Sequence, residues 1–466
     1  MNQNFCFGFT SPDDRLPIGK SGYVPILKQS PPRHQPPATH VTPTSRQALA
    51  ETIISLVNLK SKLPPKLQKY ASFGIVPKLL LLPFALGFMA LIFVLRPFVV
   101  IKFFKVDQWR IGHLISNTEI IRLNTFHASK LRKHFTIYYF PDDTRPIANK
   151  YVVQKWRNTL PTLTGGWGWL LYQLAQKISA KIFTILATDT DVLELYSSYP
   201  TNWTFTSSEI QHGKEFLDTT ECKNYDFVCL LVRDSTYLEA IRPNKSFSHH
   251  DYRDSEIQTY LSAAEQLTTR GLKLFRMGHL VKEPMKSNNP QIIDYATNGM
   301  RTEFLDVYLG ANCKFCISTS SGWDEIPRIF RRPVLLVNLI PIFHSTRVTR
   351  QVVIYPKLIL EKTTKKVLTL NEIIDRGISQ SERSANFSDA GVTIQDLSSE
   401  ELVEAVTEMA QRVEGTFVET PEQKEMQAKL KHIFSTHPTL QPSPNYYPIR
   451  TKFASCFLSR YPNFAD

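Results

Sequence analysis

The sequence lacks both glycine-rich fingerprints that announce a phosphate site. Neither G-x-x-x-x-G-K-[ST] nor G-x-G-x-x-G occurs in its 466 residues. Cysteine is sparse: Cys6, Cys222, Cys229, Cys313, Cys316 and Cys456 show no disulfide-framework spacing. The one C-x-x-C has no second pair and no histidine cluster near it, so zinc and redox motifs are missing. Cys313 and Cys316 fall in an expected strand and read as buried thiols of a reducing compartment. No cleavable signal is expected, because the apolar core comes too late. No internal repeat and no nucleic-acid module is found. The Asp-x-Asp of "TDTD" (188–191) is too short to specify a metal, and none is expected.

Charge and apolar residues are present in quantity. Lysine and arginine number 55 against 42 acids, a formal net charge of +13, which favours anionic partners such as phosphates or acidic lipid. Residues 1–60 begin as a proline-rich stretch and read as a disordered tail. Residues 61–96 form a basic and apolar segment. Its core, Leu79 to Leu95, is a 17-residue run without charge, at the short limit for a membrane span. A span or a re-entrant, monotopic anchor is expected, with a buried helix leading into the first strand as the alternative; the protein would be membrane-associated, with its catalytic domain facing the cytoplasm.

From Pro97 strands and helices alternate. Strands are expected at 97–104, 134–140, 181–187 and 225–232, then at "LKLFRMG", "KFCIS" and "PVLLVN". Between them lie "RIGHLISNTEIIRL", "DSEIQTYLSAAEQLTTRG" (started by Asp254 or Ser255 and ended by Gly271), "RTEFLDVYLGA" and "WDEIPRIF" as helices. Such alternation predicts parallel sheets of right-handed βαβ units. The fold class is therefore α/β, with two Rossmann-like domains facing a cleft. The N-terminal one would span 97–221 and the C-terminal one 222–416, followed by an extension (417–466). Residues 398–413 read as a well-capped amphipathic helix.

In the C-terminal half, strands end repeatedly in basic or hydroxyl groups. "LLVRDSTYL" places Arg233 and Asp234 after a strand. "SHHDYRDS" supplies Tyr252 and Arg253, and "LKLFRMG" supplies Arg276 and Gly278. "ISTSSGWDE" supplies Ser318, Thr319, Ser320, Ser321, Gly322 and Asp324 ahead of a helix. Parallel strands bring these ends to one edge, where backbone N–H groups and arginines suit a diphosphate. One helix cap needs one hydroxyl, and this loop offers four. In the N-terminal half, His113 of "RIGHLISN" follows the first strand and is a candidate general base; Asp234 is a second.

Taken together, "RPFVVIKFFKVDQWRIGHLISNTE", "FVCLLVRDSTYL", "HHDYRDSEI", "FRMG" and "FCISTSSGWDEIPRIFRRP" resemble a family of bacterial glycosyltransferases associated with surface polysaccharide synthesis. The resemblance covers roughly residues 96–415. More distantly, the chain is similar to fucosyltransferases of the two-Rossmann GT-B architecture. Arg233 would match their diphosphate-binding arginine, and Ser320 and Ser321 their Ser-Ser segment; Leu231 stands where their motif has histidine. The resemblance implies a metal-independent enzyme without a cofactor. It would move a hexosyl or deoxyhexosyl group from a nucleotide-sugar to a glycan or lipid-linked acceptor at a membrane surface, with no role for nucleic acid. A non-catalytic carbohydrate- or nucleotide-binding protein on the same fold is the alternative.

Overall fold

The computed structural model describes residues 75–142, 145–188, 190–222, 224–241, 248–347, 351–440 and 449–466. The tail expected over residues 1–60 lies outside them, as do residues 61–74.

The first lobe opens with helix α1 (Ile75–Leu95), strand β1 (Val100–Lys105), a π-helix (His113–Asn117) and α2 (Thr118–Ala128). It continues through β2 (His134–Tyr139), α3 (Lys150–Thr159), β3 (Thr162–Leu163) and α4 (Gly165–Phe183). β1, β2 and β3 pair in parallel in that order. The strand expected at 181–187 is not formed: α4 runs on to Phe183, and only one parallel bridge, Thr184 to Phe103, remains. Beyond a kink at Ser179, Phe183 joins the apolar cluster that α4 buries and Ile182 packs against it, so packing overrides the β-branched local preference.

Among the described residues no helix is long and apolar enough to cross a membrane, which corrects the expected span. Ala85, Met89 and Ile92 of α1 recur on one stripe and pack with Leu171, Ala175 and Phe183 of α4 and with Phe103. One side of the helix is thereby committed to the protein.

The second lobe begins with α5 (Ser207–Thr219), whose Thr206 and Glu209 form a reciprocal capping box. It continues through β4 (Phe227–Leu231), α6 (Leu261–Thr268), β5 (Lys273–Arg276), β6 (Ile292–Ile293), α7 (Glu303–Asn312) and β7 (Cys316–Ser318). Next come α8 (Glu325–Ile329), β8 (Val334–Leu339), β9 (Val352–Pro356), β10 (Leu358–Glu361) and β11 (Val392–Gln395). Further along lie α9 (Ser399–Glu414), α10 (Pro421–Thr436) and β12 (Lys452–Phe453). Seven strands form one sheet in the order β12-β9-β8-β7-β4-β5-β6, every neighbouring pair parallel. The fold is thus mixed α/β with parallel sheets. α9 has the expected cap, a Ser398–Glu401 box, and closes on Gly415 at φ 76°. The C-terminal extension supplies β12 to the sheet edge. Cys313 caps α7 instead of lying in a strand, and Cys229, Cys313 and Cys316 are all buried.

A continuous core joins the lobes. Glu119 of α2 and Arg331 after α8, both buried, pair at 3.2 Å. Arg331 also donates to the Tyr199 carbonyl, at 3.1 Å from Nε and 3.0 Å from an η-nitrogen.

The chain enters the large sheet at β4 and builds β5 and β6 to one side. It then returns to lay β7 on the other flank of β4, with β8 and β9 beyond. β4 and β7 therefore flank the point where successive connections diverge, and the crevice outside their carboxyl ends is where open α/β sheets bind ligands.

Candidate functional site

Leu231 and Ser318 are partners across β4 and β7, so the residues after them meet at this point. The Thr319 N–H donates to the Leu231 carbonyl at 3.1 Å, and the Arg233 N–H donates to the Thr319 hydroxyl at 2.8 Å. Ser318 donates to the Asp324 carboxylate at 2.8 Å, and the Ser321 N–H donates to the same oxygen at 3.1 Å. Ser321 with Asp324 forms a capping box. Three of the four hydroxyls thus hold the loop's own shape. Ser320 is the exception: its φ is 60°, a left-handed conformation uncommon for a side-chain-bearing residue, and its carbonyl accepts from an Arg253 η-nitrogen at 2.6 Å. Burial pushes the Asp324 carboxyl above the usual carboxylate range, against the pull of nearby Arg328.

Two guanidiniums converge here. Arg233 is ion-paired with Asp254 and donates to the His250 carbonyl at 3.3 Å. Asp254 therefore does not cap the following helix, and neither does Ser255, whose hydroxyl donates to Asp396 at 2.7 Å. Among the described residues no carboxylate lies within ion-pair distance of Arg253, and its buried Nε has no partner. Burial, and then the charge of Arg233, lower its pKa. His250, beside both arginines, is pushed down to about 4, by burial first and then by His249, Arg233 and Arg253. Its buried Nδ1 also lacks a partner. The locus is therefore electropositive and under-neutralised.

The first lobe reaches the same loop. A Cβ built on Gly112 would lie 2.9 Å from the Gly322 Cα, and one built on Gly322 would lie 2.9 Å from the Gly112 nitrogen. Both glycines are needed because two backbones touch. Gly112→Ala and Gly322→Ala should each lower stability by about 1–3 kcal/mol, as overpacking does. Urea denaturation of the two variants checks this. His113 follows in the π-helix, a bulge common at functional sites. Its Nδ1 is 3.2 Å from the Asn117 amide nitrogen, while the buried Asn117 Oδ1 has no partner.

The other sequence candidates stand apart from this cluster. Arg276 is buried, pairs with Asp294 at 3.1 Å and donates to the Glu283 carbonyl at 3.2 Å. A Cβ on Gly278 would meet Val281 at 2.6 Å, so that glycine serves loop packing. Both Asp234 oxygens accept backbone N–H groups, from Thr236 at 3.0 Å and Lys282 at 2.9 Å. Tyr252 packs behind Arg253 against Phe387, with ring centroids 5.3 Å apart. Asp189 of the Asp-x-Asp lies outside the described residues. Asp191 accepts from the Leu195 and Tyr196 N–H groups at 2.8 Å each. Among the described residues no group of three metal-ligating side chains gathers. His250 lies in the "SHHDYRDS" run and Gly112 in "RIGHLISN", both visible in the sequence, but only the folded chain shows the part each plays here.

No family model matches the sequence, and no curated protein matches it. Among solved structures the chain is similar to a family 9 glycosyl transferase from Veillonella parvula DSM 2008. That likeness has 10% identity and a TM-score of 0.38, over 68% of this chain and 97% of the other. It is also similar to the E. coli ADP-heptose LPS heptosyltransferase II, with 12% identity and a TM-score of 0.35, over 55% of this chain and 90% of the other. Both are bacterial glycosyltransferases, the broad class that the sequence resembles, and neither is a fucosyltransferase. At such identities the likeness concerns chain course alone, and the functional argument rests on this chain's own residues.

Proposed function

We propose that the chain is a glycosyltransferase of the two-lobed type. It moves a hexosyl or deoxyhexosyl group from a nucleotide-sugar to a glycan or lipid-linked acceptor, without a metal. The observation that carries this reading is Arg253: a half-buried guanidinium, beside a second arginine at the sheet's switch point, with no carboxylate among the described residues within ion-pair distance. A buried cation left so is stabilised by an anion supplied from outside. A diphosphate presents bidentate oxygens that suit two guanidiniums.

The chemistry follows from the placement. An acceptor oxygen attacks the anomeric carbon and the bond to the diphosphate breaks. The leaving diphosphate carries its electron pair toward Arg233 and Arg253. The acceptor's proton goes to His113. With the Asn117 amide turned, its Oδ1 accepts Nδ1–H of His113 and Nε2 is left to take that proton. Asp234 is a poorer base, because both its oxygens already hold backbone N–H groups.

A panel of UDP-, GDP-, CMP- and dTDP-sugars tests this. One donor should raise the melting temperature, by linkage, and be slowly hydrolysed. Binding without hydrolysis would favour the binding-only alternative, and no binding would remove both. A second expectation concerns pH. The His250 imidazole holds its proton only below about 4, so the unfolded chain binds more protons between about 4 and the ordinary value near 6.5. This residue's contribution to stability therefore rises with pH through that window. A bound diphosphate should raise the His250 pKa, and donor affinity should strengthen as pH falls across the same window. An NMR titration of the His250 ring with and without donor reads both.

A further inference from the structure

α1 is buried along one stripe only. The remaining face is also apolar: Phe84 is 72% exposed, Leu91 52%, Phe93 55% and Val94 67%, and Phe98 just beyond the helix is 76% exposed. Residues 81–95 contain no polar side chain. A helix that is apolar all round belongs in a core or in lipid, and soluble surfaces rarely expose such a contiguous patch. Charge selects between possible occupants. Residues 75–187 contain 15 lysines and arginines against 4 acids, and no acid occurs from 75 to 106 or from 145 to 187. Arg96, Arg132 and Lys133 are exposed beside the C-terminal end of α1, and Lys177 and Lys181 are exposed on α4, its packing partner. The Arg132 side chain donates to the Arg96 carbonyl, and the Val100 N–H to the Lys133 carbonyl, so this basic group borders the apolar face directly. A second copy of the chain would bring these cations against one another.

We propose that the exposed face of α1 lies in the interfacial zone of an anionic bilayer, parallel to its surface, with the flanking lysines and arginines on the lipid phosphates. Apolar burial supplies the depth and the basic border supplies the preference for acidic lipid. This surface is distinct from the diphosphate site and does not depend on it.

Flotation of the full-length chain tests the proposal. It is purified in detergent and then mixed with vesicles of phosphatidylcholine, or of phosphatidylcholine with phosphatidylglycerol. The protein should float with the mixed vesicles, more weakly with the neutral ones, and high salt should reduce binding without abolishing it. Phe84→Asp with Leu91→Asp should lower the partition coefficient about a hundredfold. Lys177→Gln with Lys181→Gln should lower it about tenfold, on anionic vesicles only. Both pairs are exposed, so melting temperatures should be unchanged, which separates lost binding from misfolding. A full-length chain that stays soluble without detergent and does not float overturns the proposal. So does a defined dimer that the Phe84 and Leu91 changes dissociate while vesicle binding is absent.

Discussion

Replacing both guanidiniums, as Arg233→Met with Arg253→Met, is expected to weaken nucleotide-sugar binding by about a thousandfold. Each charge-assisted hydrogen bond contributes about 1.5–3 kcal/mol, and the pair addresses one diphosphate. The single variants should each lose about tenfold to a hundredfold but differ in stability. Arg233 neutralises Asp254, so its removal leaves a half-buried carboxylate alone and should destabilise the fold. Arg253 has no such partner and is already penalised by burial, so Arg253→Met should leave the fold as stable or make it more so. A gain in stability with a loss of affinity marks a residue held for its ligand. Calorimetric binding, paired with urea denaturation of the same samples, reads both quantities. Equal losses of stability in the two variants would return Arg253 to a structural role.

The second large effect is expected at the lobe junction. Glu119→Gln leaves Arg331 buried beside a neutral amide, and Arg331→Met leaves Glu119 with Arg122 alone. Breaking a buried pair from one side costs about 3–5 kcal/mol. Because Glu119 lies in the helix that continues from His113, and Arg331 follows the helix that begins after Gly322, the loss should also loosen the contact of the two glycine loops. Stability and transfer should therefore fall together in Arg331→Met. The double variant Glu119→Gln/Arg331→Met should recover part of the stability, since it removes the stranded charge. Denaturation of the single and double variants gives the coupling energy. Additive losses would show that the pair is not the junction's anchor.

Much of the fold could be read from local pattern. "FVCLLV", "KFCIS" and "PVLLVN" are apolar runs of strand length, and the "LSSEELVEAV" start carries its own capping box. β9 and β12 were harder: β12 is a two-residue strand, and its pairing with β9 comes from a segment about a hundred residues away. "KIFTILA" misled because Ile182 and Phe183 serve equally well at the end of a helix that packs on α1. At the site, the strand-end arginines and the hydroxyl loop stood out in the sequence, but their division of labour did not. Arg233, Arg253 and Arg276 look equivalent as text. Only the folded chain brings Asp294 to Arg276 and Asp254 to Arg233, while no carboxylate among the described residues comes within ion-pair distance of Arg253. Likewise the hydroxyls of Ser318, Thr319 and Ser321 are bound to their own loop and neighbouring strand, so the positive groups around Ser320 carry the argument more than the hydroxyl count does. The approach of Gly112 to Gly322 joins residues about two hundred positions apart and has no local signature.

The role proposed for Arg253 is to hold a donor diphosphate. The most direct test is isothermal titration of the full-length chain, and of its Arg253→Met variant, with nucleoside diphosphates and their sugars at matched ionic strength. The native chain should bind at least one of these ligands. The variant, folded and no less stable, should bind it at least about tenfold more weakly. Equal affinity in the two proteins, or no binding of any nucleoside diphosphate by the native chain, would contradict it.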